Sequence, residues 1–353
     1  MSLPIIVAAY SLLFLLFFSL SLFLFIVVRR IIVDYQTKTF EKHYRDIEKS
    51  ILEVVSSLRP ELAKEVAQKY RAHPDILVKV LMEYANIITG QARELLQVIF
   101  NQGLRDKCLK DLSSKRMVKR LRVIRLFVLF SNPSEYSYLL GLLQDKPMVK
   151  LTALSALARV PTPETLSYIF QAFEQDQGPL ARLYFNIMFG LGNRIEFLIR
   201  QYLKKPLLEE KLGLLIELVG AIRLRPLYED IVVFAGHPDK EIRISVARAL
   251  GRLLIPESVP ALAALCADQA WEVKAQAVKG LGNLKNPETL GLITEALFSP
   301  SWHVRLNAGH ALASLGEEGI KRLKEVALQN MDRYARDMAN MVLDDLVYLG
   351  GAA

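Results

Sequence analysis

Stepping by 31 from Val118 returns Val149, Leu180, Lys211, Ile242, Val273 and Val304, apolar at every step except Lys211. Eight residues further along, the same step gives Leu126, Leu157, Met188, Val219, Leu250, Leu281 and Leu312. Eleven further along it gives Leu129, Val160, Leu191, Ile222, Leu253, Leu284 and Leu315. Neither of these two series contains a polar residue. A fixed period of this size is the mark of an array of stacked structural units. Within a unit the apolar positions fall at 0, +4, +8 and +11, which is one face of a helix. Small residues at +7 and +9, such as Gly280 and Gly282, let a neighbouring helix approach closely.

Between these helices runs a second, shorter apolar stretch opened by a proline. Pro163-Glu-Thr-Leu166 and Pro287-Glu-Thr-Leu290 are the same tetrapeptide 124 residues apart, four periods of 31. Proline in the first turn, with Thr162 or Asn286 before it as cap and an acid just inside, starts a helix at little cost. Each unit therefore reads as a helical hairpin, and the chain as all-α. The register continues through Ala335, Ala339, Val342, Leu343 and Leu346, so about seven to eight hairpins are expected over residues 112–349.

Ahead of the array the pattern changes. Ile5 to Val28 are 24 consecutive uncharged positions, interrupted only by Tyr10, Ser11, Ser19 and Ser21. As a helix they would span about 36 Å, enough to cross a bilayer with some tilt. No basic residue precedes the stretch, and Arg29-Arg30 follow it where a cleaved leader would have small residues, so an uncleaved single-pass anchor over residues 1–34 is expected. Arg29 and Arg30 then mark the membrane boundary. With Lys38, Lys42 and Arg45 they put the following residues on the cytoplasmic side of an inner membrane and the N-terminus outside.

Phe40, Tyr44, Ile47, Ile51, Val54 and Leu58 then recur at steps of four and three. This short heptad seam has two readings: packing onto the first layers of the array, or self-association as a coiled coil. Residues 61–111 are expected to hold two or three further helices with breaks at His73-Pro74 and Gly90, so that 35–111 form a stalk helix and a helical cap.

Asp239-Lys-Glu-Ile-Arg243, Trp271-Glu-Val-Lys274 and Trp302-His-Val-Arg305 are each followed by a helix rich in Ala and Gly that ends near Leu-Gly. These stretches resemble bacterial HEAT repeats of the short kind also found in phycobilisome lyases, best over 226–316 and in phase from 112. The resemblance implies an α-solenoid that works by offering surface to a partner. The phycobilin lyases it also evokes handle a tetrapyrrole, which gives an alternative as a ligand-handling lyase or chaperone, although this chain carries an apolar span that those proteins lack.

Charge changes the picture at one place. Of a formal net charge of +8, a net +7 lies between Arg105 and Arg125, with Lys115, Arg116, Lys119, Arg120 and Arg122 at its centre. Such a segment is a solvated face, a contact with anionic lipid or an acidic protein, or a nucleic-acid site. Nucleic acid is disfavoured, because no aromatic residues stand among the bases to stack on. Trp271 and Trp302, one repeat apart, either stack as a packed ridge or stand exposed as binding anchors. Arg243, Lys274 and Arg305 are expected to pair with Asp239, Asp268 and Glu272 in a structural ladder.

Chemistry is sparse. His43, His73, His237, His303 and His310 are scattered without acids or cysteines at ligand spacing, and Cys108 and Cys266 suggest neither disulfide nor metal. Gly-Leu-Gly-Asn at 190–193 and 280–283 falls where the repeat itself calls for small residues, which argues against a phosphate loop. The reading is a membrane-anchored scaffold rather than an enzyme, with no catalytic residue, cofactor or metal expected. Its expected partner is a protein of the inner membrane such as a polysaccharide synthase or other glycosyltransferase.

Overall fold

The computed structural model describes residues 3–130, 137–159, 161–176, 180–329 and 332–350; among these the ordered elements are helices and no strand occurs. They fall into two compact units, Met1–Thr152 and Ala153–Ala353.

The first unit begins with α1 (Leu3–Ser57), one helix of 55 residues and so about 80 Å long. After it come α2 (Pro60–Lys69), α3 (Pro74–Tyr84), α4 (Gln91–Gly103), α5 (Arg105–Leu112), α6 (Met117–Phe130) and the short α7 (Ser137–Leu140), and α8 (Pro147–Leu157) contains the division after Thr152. Four helices thus stand where the sequence predicts two or three. Pro60 and Pro74 open α2 and α3, and Gly90 (φ 66°) precedes α4. A backbone break at Leu104 (φ −125°, ψ −26°) separates α4 from α5.

The two halves of α1 live in different surroundings. From Phe14 to Val33 its large apolar side chains, the half-buried Val27 apart, are exposed, Phe17 at 71% and Ile31 at 62% among them. Further on, Ile47, Ile51 and Val54 are completely buried, and α1 packs on α2, α3 and α4. The heptad seam is therefore used within the unit. Self-association through Phe40, Tyr44, Ile47, Ile51, Val54 and Leu58 is corrected accordingly: the three central residues are already covered, and Leu58 lies beyond the helix in a left-handed conformation (φ 54°). Phe100, Phe127 and Phe130 join α4 to α6 in the same core, with ring centroids 5.3 and 6.1 Å apart.

The second unit contains α9 (Pro163–Gln175), α10 (Ala181–Phe189), α11 (Glu196–Leu203), α12 (Glu209–Ile222), α13 (Tyr228–Val232) and α14 (Lys240–Leu253). It continues with α15 (Ser258–Cys266), α16 (Trp271–Leu284), α17 (Leu290–Ala296), α18 (Trp302–Ser314), α19 (Glu317–Gln329) and α20 (Arg333–Gly350). Helices α12, α14, α16, α18 and α20 stack in series, while α15, α17 and α19 each pack on the two stacked helices beside them. Glycine sets how closely the stack closes. A Cβ on Gly251 would lie 2.5 Å from the Cα of Gly280, and one on Gly282 would lie 2.6 Å from the Cβ of Ala311. The small residues of the repeat are contact points, and Gly-Leu-Gly-Asn at 280–283 is packing, as read from the sequence.

The register holds with instructive exceptions. Leu126, Leu157, Met188, Val219, Leu250, Leu281 and Leu312 are all completely buried, and so are Ala335 and Ala339 in α20. Val160, in the third series, lies outside the described residues. Val118 is 66% exposed, against expectation. The cause is a one-residue shift of phase in α6: Arg120 there makes the bonds that Arg243 makes in α14, and these two are 123 residues apart instead of 124. Lys211 keeps its place in the core. Its ammonium donates to the Glu174 carbonyl at 2.7 Å and sits 5.8 Å over the Phe173 ring. Pro163 opens an α-helix capped by Thr162, whose hydroxyl accepts from the Thr165 amide; Pro287 instead opens a 3₁₀ turn before α17, capped by Asn286.

Candidate interaction surfaces

Trp271 and Trp302 are the first residues of α16 and α18, each following an extended N-cap residue, Ala270 or Ser301, so both indoles sit at the same edge of the stack. They are 43% and 49% exposed. They do not stack on one another: the His303 imidazole stacks on Trp271 (centroids 4.8 Å, 27°) and meets Trp302 edge-on (5.1 Å, 86°). His303, which the sequence singles out for no ligand role, is thus the middle of an exposed aromatic edge.

Its place follows from an offset that a period of 31 does not display. Several side-chain contacts across layers are separated by 32 residues, one more than the period, as in Asn283 to the Gly251 carbonyl, Asn307 to the Ala275 carbonyl and Ser314 to the Gly282 carbonyl. Trp271 and His303 obey the same offset, and so does the ion pair Lys240–Glu272 at 2.6 Å. That pair borders the aromatic edge, and the Lys240 ammonium holds the Glu272 carboxyl below its usual range.

The expected ladder is real in one rung. The Arg243 guanidinium donates to both Asp268 oxygens at 2.6 and 3.0 Å and to the carbonyls of His237 and Pro238. This fork holds the Asp268 carboxyl below the usual carboxylate range. Asp239 instead caps α14 by accepting from the Glu241 amide. Arg305 donates to the carbonyls of Ser299 and Pro300 and lies 5.2 Å from the Tyr334 ring.

The basic segment of the first unit is committed in part to internal contacts. Arg120 is buried, forks onto Asp145 at 2.7 and 2.9 Å and donates to the Ser114 carbonyl, so it is corrected from a surface contact to a structural one. Arg122 pairs with Asp75 at 2.7 Å, Lys107 with the same carboxylate at 3.6 Å, and Lys119 with Asp111 at 3.5 Å. Lys115 and Arg116 remain exposed, with no acid partner among the described residues. Arg29 and Arg30 are exposed on α1 within its apolar stretch.

Reactive groups are few. Burial pushes the Cys108 and Cys266 thiols up to about 12, so both are protonated at neutral pH. Among the described residues no three of His, Cys, Asp and Glu gather as a metal site. His43 and His73, distant in sequence, stack with centroids 4.2 Å apart.

By fold, then, this is an all-α protein of the helical-repeat class, a HEAT-like α-solenoid. Residues 259–344 match the family of HEAT repeats. No curated protein matches the chain. Among solved structures it is similar to the Escherichia coli protein YibA (13% identity, 75% of this chain and 95% of that one, TM-score 0.42). It is also similar to the CpcE–CpcF complex of phycocyanin lyase from Nostoc (15%, 68% and 94%, TM-score 0.33) and to importin beta (12%, 82% and 43%, TM-score 0.39).

Proposed function

We propose that the chain is a single-pass membrane scaffold without catalytic activity of its own, whose repeats lie on the cytoplasmic side and bind a protein partner of the inner membrane. A polysaccharide synthase or other glycosyltransferase is the partner class we favour. The observation that carries this reading is the run of exposed apolar side chains on α1 from Phe14 to Val33. A helix apolar on all sides is at home in lipid, not water, and this one is long and apolar enough to cross a membrane. The same helix continues into the packed stalk, which supports a fixed connection between anchor and cap in place of a flexible tether. Arg29, Arg30, Lys38, Lys42 and Arg45 support cytoplasmic placement of the stalk and repeats. HEAT repeats with half-exposed tryptophans support protein binding as the role of the second unit.

Purification from membranes solubilised in mild detergent tests the reading. The expected result is a second membrane polypeptide in constant ratio, lost when Trp271 and Trp302 are both changed to Ala. Recovery of the chain alone, as a monomer, would contradict it.

A further inference from the structure

Five positions spaced by 31 residues, 192, 223, 254, 285 and 316, all have positive φ, and they close successive repeat helices or the turns after them. The two outer ones are Gly192 (φ 60°) and Gly316 (φ 77°), the residue such a cap favours. The three central ones are Arg223 (φ 61°), Leu254 (φ 53°) and Lys285 (φ 51°), the C-caps of α12, α14 and α16. A side chain in this conformation is strained relative to glycine, and the chain retains one in three consecutive layers.

All three line one open cleft of about 600 Å³, floored by Gly220, Gly251 and Gly282 and also lined by Arg252. A smaller cleft of about 240 Å³ shares Gly251, Arg252 and Asn283 with it and adds Arg248 and Lys279. No Asp or Glu lines either cleft. Arg248 is engaged by Glu217 at 3.0 Å, whereas Arg223, Arg252, Lys279 and Lys285 have no carboxylate partner among the described residues. Helix dipoles favour cations near these ends, and on α12 and α16, whose last turns hold no basic residue, Arg223 and Lys285 supply them. A cation within the last turn, as Arg252 is in α14, would serve the dipole without the left-handed backbone.

We propose that this cleft binds an extended acidic segment of a protein partner, which deepens the scaffold reading and rests on it. Stacked helices lie about 8–10 Å apart, so Arg223 and Lys285, two layers apart, stand some 16–20 Å from one another. An extended chain covers that distance in about six residues. The matching segment has an acid at each end of such a stretch and an apolar residue midway, against Leu254. The apolar site between two cations, and the lack of any aromatic residue in either cleft, favour a peptide over a nucleic acid.

The test is fluorescence anisotropy on the full chain in detergent. The probe is a labelled peptide with two Glu about six residues apart and a Leu between them, compared with its Gln counterpart and with an oligouridylate competitor. The wild type binds the Glu peptide, more weakly as salt rises. Exchange of both Glu for Gln, or Arg223→Gly with Lys285→Gly, weakens binding about tenfold. The double variant melts no lower than the wild type, since glycine relieves the caps. Equal binding by the Gln peptide or the double variant, displacement by the oligouridylate at the same concentration, or a lower melting point of the double variant would each overturn the proposal. If the native partner still co-purifies undiminished with the double variant, the cleft is excluded while the scaffold reading stands. If nothing co-purifies even with the wild type, the scaffold reading is what fails.

Discussion

Asp268 shows how much one side chain can contribute to a layered fold. It receives two charge-assisted bonds from Arg243, both groups are mostly buried, and it also accepts from the Ala270 amide at the start of α16. Asp268→Asn should therefore destabilise the second unit by about 2 kcal/mol at neutral pH. The native carboxyl titrates below the unfolded one, so its contribution is complete above the unfolded value near pH 4 and is lost as pH falls through the native value. The gap in melting temperature between wild type and variant should accordingly be widest at pH 6–7 and shrink below about pH 4. A gap independent of pH would contradict this account. At this scale the sequence was only half legible. The acid 25 residues after an arginine was visible for Arg243, but the same spacing from Arg120 to Asp145 was hidden within a basic run that read as surface. His303 escaped because lateral neighbours differ by 32 residues, a shift that a period of 31 does not display.

Helices pack here through their smallest residues and their buried seams. Gly251 meets Gly280 backbone to backbone, so Gly251→Val has nowhere to put its side chain and should cost about 3 kcal/mol or more. Because each layer touches only its neighbours, the damage should appear as faster amide exchange in α14 and α16. Exchange that accelerates evenly along the whole chain would argue against layered stability. In the first unit Ile51→Asp places a charge in the contact between α1 and α2–α4, and it should expose α2–α4 to exchange while α14–α18 stay protected. The hairpin pattern was legible because burial follows the repeat closely: every residue of the Leu126 to Leu312 series is fully buried. The fate of the heptad seam was not, since a period of 3.5 residues describes a helix that meets a neighbour without saying whose neighbour it is. The left-handed caps were also missed, although Gly192 and Gly316 stood at the repeat spacing on either side of Arg223, Leu254 and Lys285.

At the scale of the whole molecule, the proposed function makes this a repeat scaffold held at a membrane by α1. The central claim of that reading is the location of the exposed stretch from Phe14 to Val33, because the cytoplasmic placement of the repeats and the search for a membrane partner both depend on it. The direct measurement is alkaline extraction of membranes from expressing cells, read together with protease accessibility from each side. The account predicts that the chain stays with the lipid pellet, and that fragments containing 74–350 are cut in inverted vesicles but protected in intact spheroplasts. Release of the full-length chain into the alkaline supernatant, or cutting of the repeats from the outer side, would contradict it.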